Sequence, residues 1–275
     1  MKRLTSHLLV LILAFASAEV TFIAGASRGL GLELARSFAA VSAPRGKNPT
    51  VHATTRSRVQ QPGALGSIPG VRVYSLDVAN ATQVAGMSRA YNAEGGAIDL
   101  LVHNAGINNG TLERQMEVNA IAPFRLVQAL MPALLRSTGR RVCIVTSDRG
   151  QQKYVRKFQA RFSGTSRHGG GRLCKDVGYC AYAVSKGAAH DTFRRLEPRW
   201  RAQGIVAAVI HPGGLATDMN GGLERCRAFH AARKNTGSEC ISAAQRAPDV
   251  QRLCASLQPQ HAGKLLNWKA EVMPW

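Results

Sequence analysis

Hydrophobic and polar positions alternate in blocks along this chain. Short runs that are apolar throughout are separated by longer segments in which apolar residues recur with helical spacing. The apolar runs predict strands over residues 20–24, 50–54, 71–76, 100–103, 142–146, 205–210 and 264–267. The amphipathic segments predict helices over residues 31–40, 84–92, 112–137, 181–203 and 240–256.

This alternation indicates an α/β fold. Strands that are apolar on both faces are typical of a parallel sheet covered by helices on both sides. We therefore predict a single doubly wound (Rossmann) domain over residues 19–275, with a mostly or wholly parallel sheet of about seven strands. Ligands in such folds bind beyond the carboxyl ends of the strands, so candidate site residues are sought there.

Two segments interrupt the alternation, and both leave the carboxyl edge of a strand. Residues 149–177 form a basic insertion, in which Arg149–Lys175 holds eight Lys or Arg and no Asp or Glu. Like charges without partners repel and stay solvated, so we expect this insertion to be exposed and mobile. Residues 213–237 are interpreted as a substrate loop.

A glycine-rich turn follows the first predicted strand and opens the first predicted helix. The absent side chains allow a tight turn and let a pyrophosphate approach the backbone N–H groups. The spacing is G-x-x-x-G-x-G rather than G-x-G-x-x-G. We predict that this turn binds a dinucleotide through Gly25, Ser27, Arg28, Gly29, Leu30 and Gly31.

The residues after the second strand indicate which nicotinamide cofactor is bound. Enzymes that use NAD usually place an acidic residue there to bind the ribose 2′-OH. Here Arg56 and Arg58 stand in its place, and Arg28 can approach the same position. Guanidinium groups suit a 2′-phosphate, so the sequence favours NADP(H), although each arginine could also be a solvated surface charge.

The ends of the third and fourth strands supply further candidate cofactor contacts. Asp77 and Val78 end the third strand, and Asn104, Ala105 and Gly106 follow the fourth. Taken alone, both segments could be ordinary turns that end strands. Because they share an edge with the glycine-rich turn, we expect them to contact the adenine and ribose of the cofactor.

Four residues form a candidate catalytic group. Tyr182 and Lys186 lie four positions apart, on one face of a predicted helix, and Ser147 follows the fifth strand. The pKa of a tyrosine phenol in water is about 10, but a nearby ammonium favours the phenolate and makes the group usable in proton transfer. Ser147 would stabilise charge on the substrate oxygen. Asn119 could hold a water molecule that links Lys186 to solvent.

Charge and the first residues of the chain add expectations about partners and location. The formal net charge of +20 attracts phosphates of any kind.

Residues 1–18 resemble a secretory signal, with Lys2 and Arg3 at the start, an apolar centre, and Ala16-Ser17-Ala18 as a cleavage site. The apolar run is too short to span a bilayer. A genuine signal implies the secretory pathway, and a merely packed hydrophobic extension implies a cytoplasmic protein.

The cysteines point to no metal site. None of the six forms a C-x-x-C pair or a metal-binding spacing with histidine. Their even number permits disulfides without requiring them. In an oxidising lumen, Cys174 and Cys180 are a candidate pair at the end of the insertion.

Together these motifs resemble the short-chain dehydrogenase/reductase family, and within it the C-factor-like carbonyl reductases. The resemblance covers residues 20–275 and implies the roles given above to Asn119, Ser147, Tyr182 and Lys186. It also implies that Pro212, Gly213 and Thr217 contact the nicotinamide end of the cofactor. The matching segments are Gly25–Gly31, His103-Asn104-Ala105-Gly106, Asn119, Ser147, Gly178–Lys186, His211–Met219, Gly263–Trp268 and Pro274-Trp275.

Two departures from the family pattern affect the prediction. His103 replaces the usual first asparagine of N-N-A-G. Ser147 and Tyr182 are 35 residues apart, because the basic insertion is longer than in similar proteins. The insertion must loop out if the two residues are to meet, which puts substrate access in doubt.

The sequence is compatible with two functions. The first is an NADP(H)-dependent enzyme that interconverts a small-molecule carbonyl and an alcohol. The second is a non-catalytic, nucleotide-binding regulatory or nucleic-acid-associated protein that uses the basic insertion. The insertion has few aromatic residues and no recognised nucleic-acid motif, which favours the enzyme. The sequence leaves open the substrate and whether the chain forms a homo-oligomer.

Overall fold

The structure is a computed structural model and describes residues 19–42, 50–56, 63–151, 177–222, 224, 226 and 241–275. The predicted signal, Arg58, most of the basic insertion and the second half of the substrate loop lie outside these residues. None of the described helices is long and apolar enough to cross a membrane. No group of metal-binding side chains occurs within the described ranges.

One twisted sheet forms the centre of the domain. Its strands are β1 (Val20–Ala24), β2 (Thr50–Thr55), β3 (Val71–Ser75), β4 (Leu100–His103), β5 (Arg141–Val145), β6 (Val206–His211), β9 (Leu265–Asn267) and β10 (Val272–Met273). They lie in the order β10–β9–β6–β5–β4–β1–β2–β3, and every neighbouring pair is parallel except β9–β10. Two short strands, β7 (Leu215–Ala216) and β8 (Ile241–Ser242), pair separately.

Helices cover both faces of this sheet. One face packs against α1 (Gly29–Ser42) and α7 (Ala243–Ala255), whose Leu34 and Val250 are completely buried. Five further helices are α2 (Ala81–Ala93), α3 (Leu112–Met116), α4 (Ala122–Ala129), α5 (Met131–Arg136) and α6 (Val177–Arg201). They cover the opposite face, where Phe193 of α6 is completely buried.

The strand order places the candidate site. Successive strands run outward from β1 to β3 on one side and from β4 onward on the other, so the order reverses between β1 and β4. A crevice opens at such a reversal, beyond the carboxyl ends of the strands. Gly25 follows β1 and Asn104 follows β4, so both lie at this crevice.

The doubly wound fold predicted from the hydrophobic pattern is confirmed, with two differences. The sheet has an eighth, antiparallel edge strand, β10, which is too short to give a detectable pattern. The predicted helix over 112–137 is divided into α3, a π-helical turn (Glu117–Ile121), α4 and α5. Pro123 and Pro132 stand near the starts of α4 and α5, where a residue without an N–H group is tolerated.

The disulfide prediction was wrong in its pairing. Cys180 is a thiol rather than half of a disulfide, as are Cys143 and Cys254. Cys226 is disulfide-bonded, and its partner lies outside the described residues. The substrate loop, rather than the start of α6, therefore carries a covalent link.

Candidate active site

Close backbone contact shapes the glycine-rich turn. Gly25 has a φ of +82°, and a Cβ atom there would lie 2.6 Å from the Cα of Ala105. A Cβ on Gly31 would collide with the carbonyl oxygen of Gly25. The Asn104 side chain donates a 2.8 Å hydrogen bond to that same carbonyl. The turns after β1 and β4 are thus held together, which explains why both require small residues at these positions.

The remaining residues of the turn differ in how far their side chains are exposed to solvent. Ser27 and Arg28 are exposed, whereas the Leu30 side chain is buried in the core against β1 and α7. Gly29 has a φ of +57°, and a Cβ there would meet nothing closer than Thr217, at 3.7 Å. The start of α1 therefore offers backbone and polar groups to a ligand, while Leu30 anchors the helix.

The adenine side of the predicted site is lined by charged residues. Asp77 is ion-paired to Arg114 at 3.0 Å. Partial burial opposes its ionisation, but hydrogen bonds from the Ala79 N–H and from Arg114 hold the pKa of Asp77 below its usual value. The neighbouring Val78 is buried and Arg56 is exposed. This edge therefore presents an ionised carboxylate and a nearby guanidinium group.

Ser147 lies at the start of a 3₁₀ turn formed by Asp148–Gly150. Its Oγ accepts a hydrogen bond from the Arg149 N–H at 3.2 Å and donates one to the Asp148 carboxylate at 3.3 Å. The Asp148 N–H in turn donates to Nδ1 of His211 at 3.3 Å. The hydroxyl is thus oriented by the turn, and His211 at the end of β6 helps to hold that turn.

The same turn packs directly on the backbone of α6. A Cβ on Gly150 would lie 2.7 Å from the carbonyl carbon and oxygen of Lys186. A Cβ on Gly187 would lie 3.5 Å from the Gly150 carbonyl oxygen. A glycine is therefore required at position 150, whereas a Cβ at position 187 would make only an ordinary contact. The approach brings Ser147 beside the helix that carries Tyr182 and Lys186. The turn that Ser147 begins thus packs on α6, although the insertion separates the two in the sequence.

Lys186 is buried beneath the candidate site. Its Nζ donates to the Val145 carbonyl at 3.4 Å and lies 5.7 Å from the centre of the Tyr182 ring. Burial lowers the pKa of Lys186 to about 8, because the ammonium is removed from water. Tyr182 is half-buried, one helical turn earlier on the same face of α6. The arrangement puts a weakly held proton close to the phenol.

Asn119 links three parts of the site from the π-helical turn. Its side chain accepts from the Ile107 N–H at 2.9 Å and donates to the Ile107 carbonyl at 2.7 Å and to Ser185 Oγ at 3.0 Å. A Cβ on Gly106 would lie 3.3 Å from Asn119 Oδ1 and 3.5 Å from Lys186 Nζ. Asn119 therefore fixes the loop after β4 onto α6, beside Lys186.

His103 adds an unusual feature next to Lys186. It is completely buried, and both ring nitrogens lack a hydrogen-bond partner among the described residues. Burial and the positive charge of Lys186 lower the pKa of His103 to about 3. A neutral imidazole thus replaces the usual asparagine, without adding a second positive charge beside the lysine.

The loop after β6 reaches from the predicted nicotinamide end back to the glycine-rich turn. Pro212 is buried, and a Cβ on Gly213, whose φ is +81°, would lie 2.8 Å from the Trp268 ring. Thr217 extends towards Gly29, and the following Asp218 pairs with Arg28 at 3.8 Å. The predicted contacts Pro212, Gly213 and Thr217 therefore border the same crevice as the turn.

The structure brings the predicted site residues of the described ranges to one edge of the sheet, but the side chains of Leu30 and Val78 are buried in the core. Sequence reasoning missed Gly150, Ser185 and His211, which hold Ser147, Asn119 and Lys186 in place. The S-x-x-G spacing from Ser147 to Gly150 was available as a signal. Ser185 and His211 stand in segments that match the family pattern, but their roles depend on contacts between distant segments.

Comparison with known proteins defines the class. The family model described as short chain dehydrogenase matches residues 19–161, just over half of the chain. The chain therefore belongs to the short-chain dehydrogenase family, whose members are oxidoreductases that bind a nicotinamide cofactor.

Particular relatives include the C-signal protein of Myxococcus xanthus, which is 26% identical over 196 residues, covering 68% of this chain and 98% of the relative. The 3-oxoacyl-(acyl-carrier-protein) reductase FabG of Escherichia coli is 26% identical over 216 residues, 74% of this chain and 77% of the relative. The fold is similar to an NADPH-bound carbonyl reductase from chicken fatty liver, with a TM-score of 0.71 and 23% identity over 94% of this chain and 99% of that one.

The contact between Gly150 and α6 generates a prediction about stability. We expect Gly150→Ala to destabilise the protein by about 1–3 kcal/mol, because the new methyl group collides with backbone that cannot move aside. Gly86→Ala is the matched control: Gly86 lies inside α2 with nothing within 4 Å of its Cβ position. That variant should be neutral or more stable by up to about 1 kcal/mol. Equal thermal unfolding temperatures for Gly150→Ala and the native protein would contradict the contact.

Proposed function

We propose that the protein is an NADP(H)-dependent oxidoreductase that interconverts a carbonyl and an alcohol by hydride transfer, with Tyr182 as the general acid and base. The main support is the placement of Lys186 Nζ 5.7 Å from the Tyr182 ring, with the Ser147 turn packed on the same helix. This group lies at the same edge of the sheet as the glycine-rich turn, whose Ser27 and Arg28 are exposed to a ligand.

Each side chain has a defined part in the proposed reaction. In the reducing direction, Tyr182 gives its proton to the substrate oxygen, and the Ser147 hydroxyl donates a hydrogen bond to the same atom. Lys186, with its pKa lowered to about 8, still carries its charge at neutral pH and favours the tyrosinate that remains. When bound, NADPH supplies the hydride. Asn119 keeps the loop after β4 and helix α6 in register.

The preference for NADP(H) is supported by charge at the rim of the crevice. Arg28 and Arg56 are both exposed there, and the acidic residue typical of NAD enzymes is absent after β2. Arg28 pairs with Asp218 at a long distance of 3.8 Å, and both side chains are largely exposed. Because this ion pair is weak, Arg28 can readily bind a phosphate in place of Asp218. The similar chicken carbonyl reductase was solved with NADPH bound.

The catalytic assignment predicts the effect of one conservative substitution. Tyr182→Phe removes the proton donor and little else, so kcat should fall by about 10²–10⁴-fold while NADPH affinity is nearly unchanged. NADPH oxidation against a panel of aldehydes, ketones and quinones, with binding followed by fluorescence, measures both. Lys186→Ala should lose both rate and cofactor affinity. An unchanged kcat in Tyr182→Phe would exclude the mechanism, and an inactive native protein that binds NADPH would favour the non-catalytic alternative.

The cofactor assignment predicts a selective loss. Arg56→Ala should weaken NADPH binding by about tenfold or more while NADH binding changes little, because a charge-assisted hydrogen bond to the 2′-phosphate is lost. Arg89→Ala removes the same charge from the exposed side of α2 and serves as the control. Dissociation constants for both cofactors decide the matter. Equal affinity of the native protein for NADPH and NADH would refute the preference.

We also propose that residues 1–18 are a secretory signal that is removed. Support comes from Glu19, which already belongs to the fold through its 2.6 Å ion pair with Arg141, and from the disulfide at Cys226. Disulfides persist mainly in oxidising compartments. N-terminal sequencing of the protein purified from its own cells should start at Glu19. A sequence starting at Met1 or Lys2 would show that no cleavage occurs.

A further inference from the structure

The segment that follows β10 packs against the helix of the candidate active site. The Trp275 ring lies 5.5 Å from the His190 ring, at 72°, and 5.9 Å from the Phe193 ring. The guanidinium carbon of Arg194, an exposed residue, lies 5.8 Å from the centre of the Trp275 ring. Trp275 is half-buried, although the preceding Pro274 is exposed. The indole therefore covers α6 one helical turn after Lys186, where His190 and Phe193 lie.

Two buried residues connect this segment to Ser147 and Lys186. His190 is one helical turn after Lys186, and its Nε2 lies 2.8 Å from Oγ1 of Thr146, the residue before Ser147. Gln151, completely buried, follows the turn that Ser147 begins, and its amide donates to the Pro274 carbonyl. Pro274 thus contacts one end of the Ser147 segment directly, and Trp275 reaches the other end through His190.

We infer that Pro274 and Trp275 form a positioning element for catalysis, which fixes the Ser147 turn against α6 through Gln151 and His190. This inference rests on the proposed hydride-transfer function. Neither residue touches the reacting atoms, and both act through the side chains they hold. A small displacement of Ser147 relative to Tyr182 is enough to slow the reaction, because the reacting groups must be aligned closely.

Trp275 also keeps His190 away from water. Burial lowers the pKa of His190 to about 4, and the charge of Lys186 contributes to this shift. The Gly150 backbone and Asp148 oppose the shift, and His211 adds to it. Arg194 lies beyond the indole. The neutral imidazole can therefore stay bonded to Thr146 across the physiological range, without a new positive charge near Lys186.

The test is Trp275→Ala in the full chain, with Trp275→Phe as the conservative rescue and Val272→Ala as the control. Val272 lies in the adjacent strand and is 65% exposed. Trp275→Ala should lower kcat by about tenfold to a hundredfold and leave NADPH affinity nearly unchanged. It should also show a new loss of kcat below about pH 6.5, because a hydrated imidazole titrates there. Trp275→Phe should restore most of the rate, and Val272→Ala should match the native protein.

The outcomes separate this inference from the proposed function. A native protein without carbonyl reductase or alcohol dehydrogenase activity would contradict the proposed function. In that case, NMR titration of His190 in the native protein and in Trp275→Ala would still show whether Trp275 shields the imidazole from water. Native kcat and pH profile in Trp275→Ala would overturn the positioning role. A parallel loss of NADPH affinity and thermal stability would also overturn it, since that pattern indicates general destabilisation.

Discussion

The contact between the backbones of Gly150 and Lys186–Gly187 sets the geometry on which the candidate active site depends. Ser147 and Tyr182 are separated by 35 residues, and a long chain can close a loop in many ways. The glycine contact selects one of them, because it presses the turn after β5 onto α6 with no side chain between the two backbones. Ser147 then stands beside the helix that carries Tyr182 and Lys186, whatever the length of the insertion.

Burial of Lys186 adds an electrostatic constraint to this geometry. A buried ammonium is costly, and here the pKa falls to about 8 while two neighbouring histidines, His103 and His190, stay neutral. If either imidazole were charged at neutral pH, it would repel Lys186 and weaken its effect on Tyr182. The His103 substitution is therefore compatible with the site, because complete burial keeps that ring uncharged.

Much of the fold could be predicted from the sequence, because buried strands and amphipathic helices leave a regular hydrophobic pattern. The bounds of β1 and β4 agree with prediction, and the glycine-rich turn lies where its spacing indicated. The division of the helix at 117–121 could not be predicted, because a π-helical turn keeps nearly the same apolar spacing. Similarly, Ser185 and His211 lie in recognised segments, but their roles could not be predicted because they arise from contacts between distant parts of the chain. The pairing proposed for Cys180 failed because proximity along the chain says little about proximity in space.

The proposed reaction transfers hydride between the nicotinamide and a carbonyl carbon. The most direct measurement is reduction of an active aldehyde or ketone with NADPH deuterated at both C4 positions, followed by mass spectrometry of the alcohol. We expect one deuterium on the carbinol carbon of the product, and about 10²–10⁴-fold slower formation of the same labelled alcohol with Tyr182→Phe. An alcohol formed without deuterium, or no oxidation of NADPH with any carbonyl tested, would contradict it.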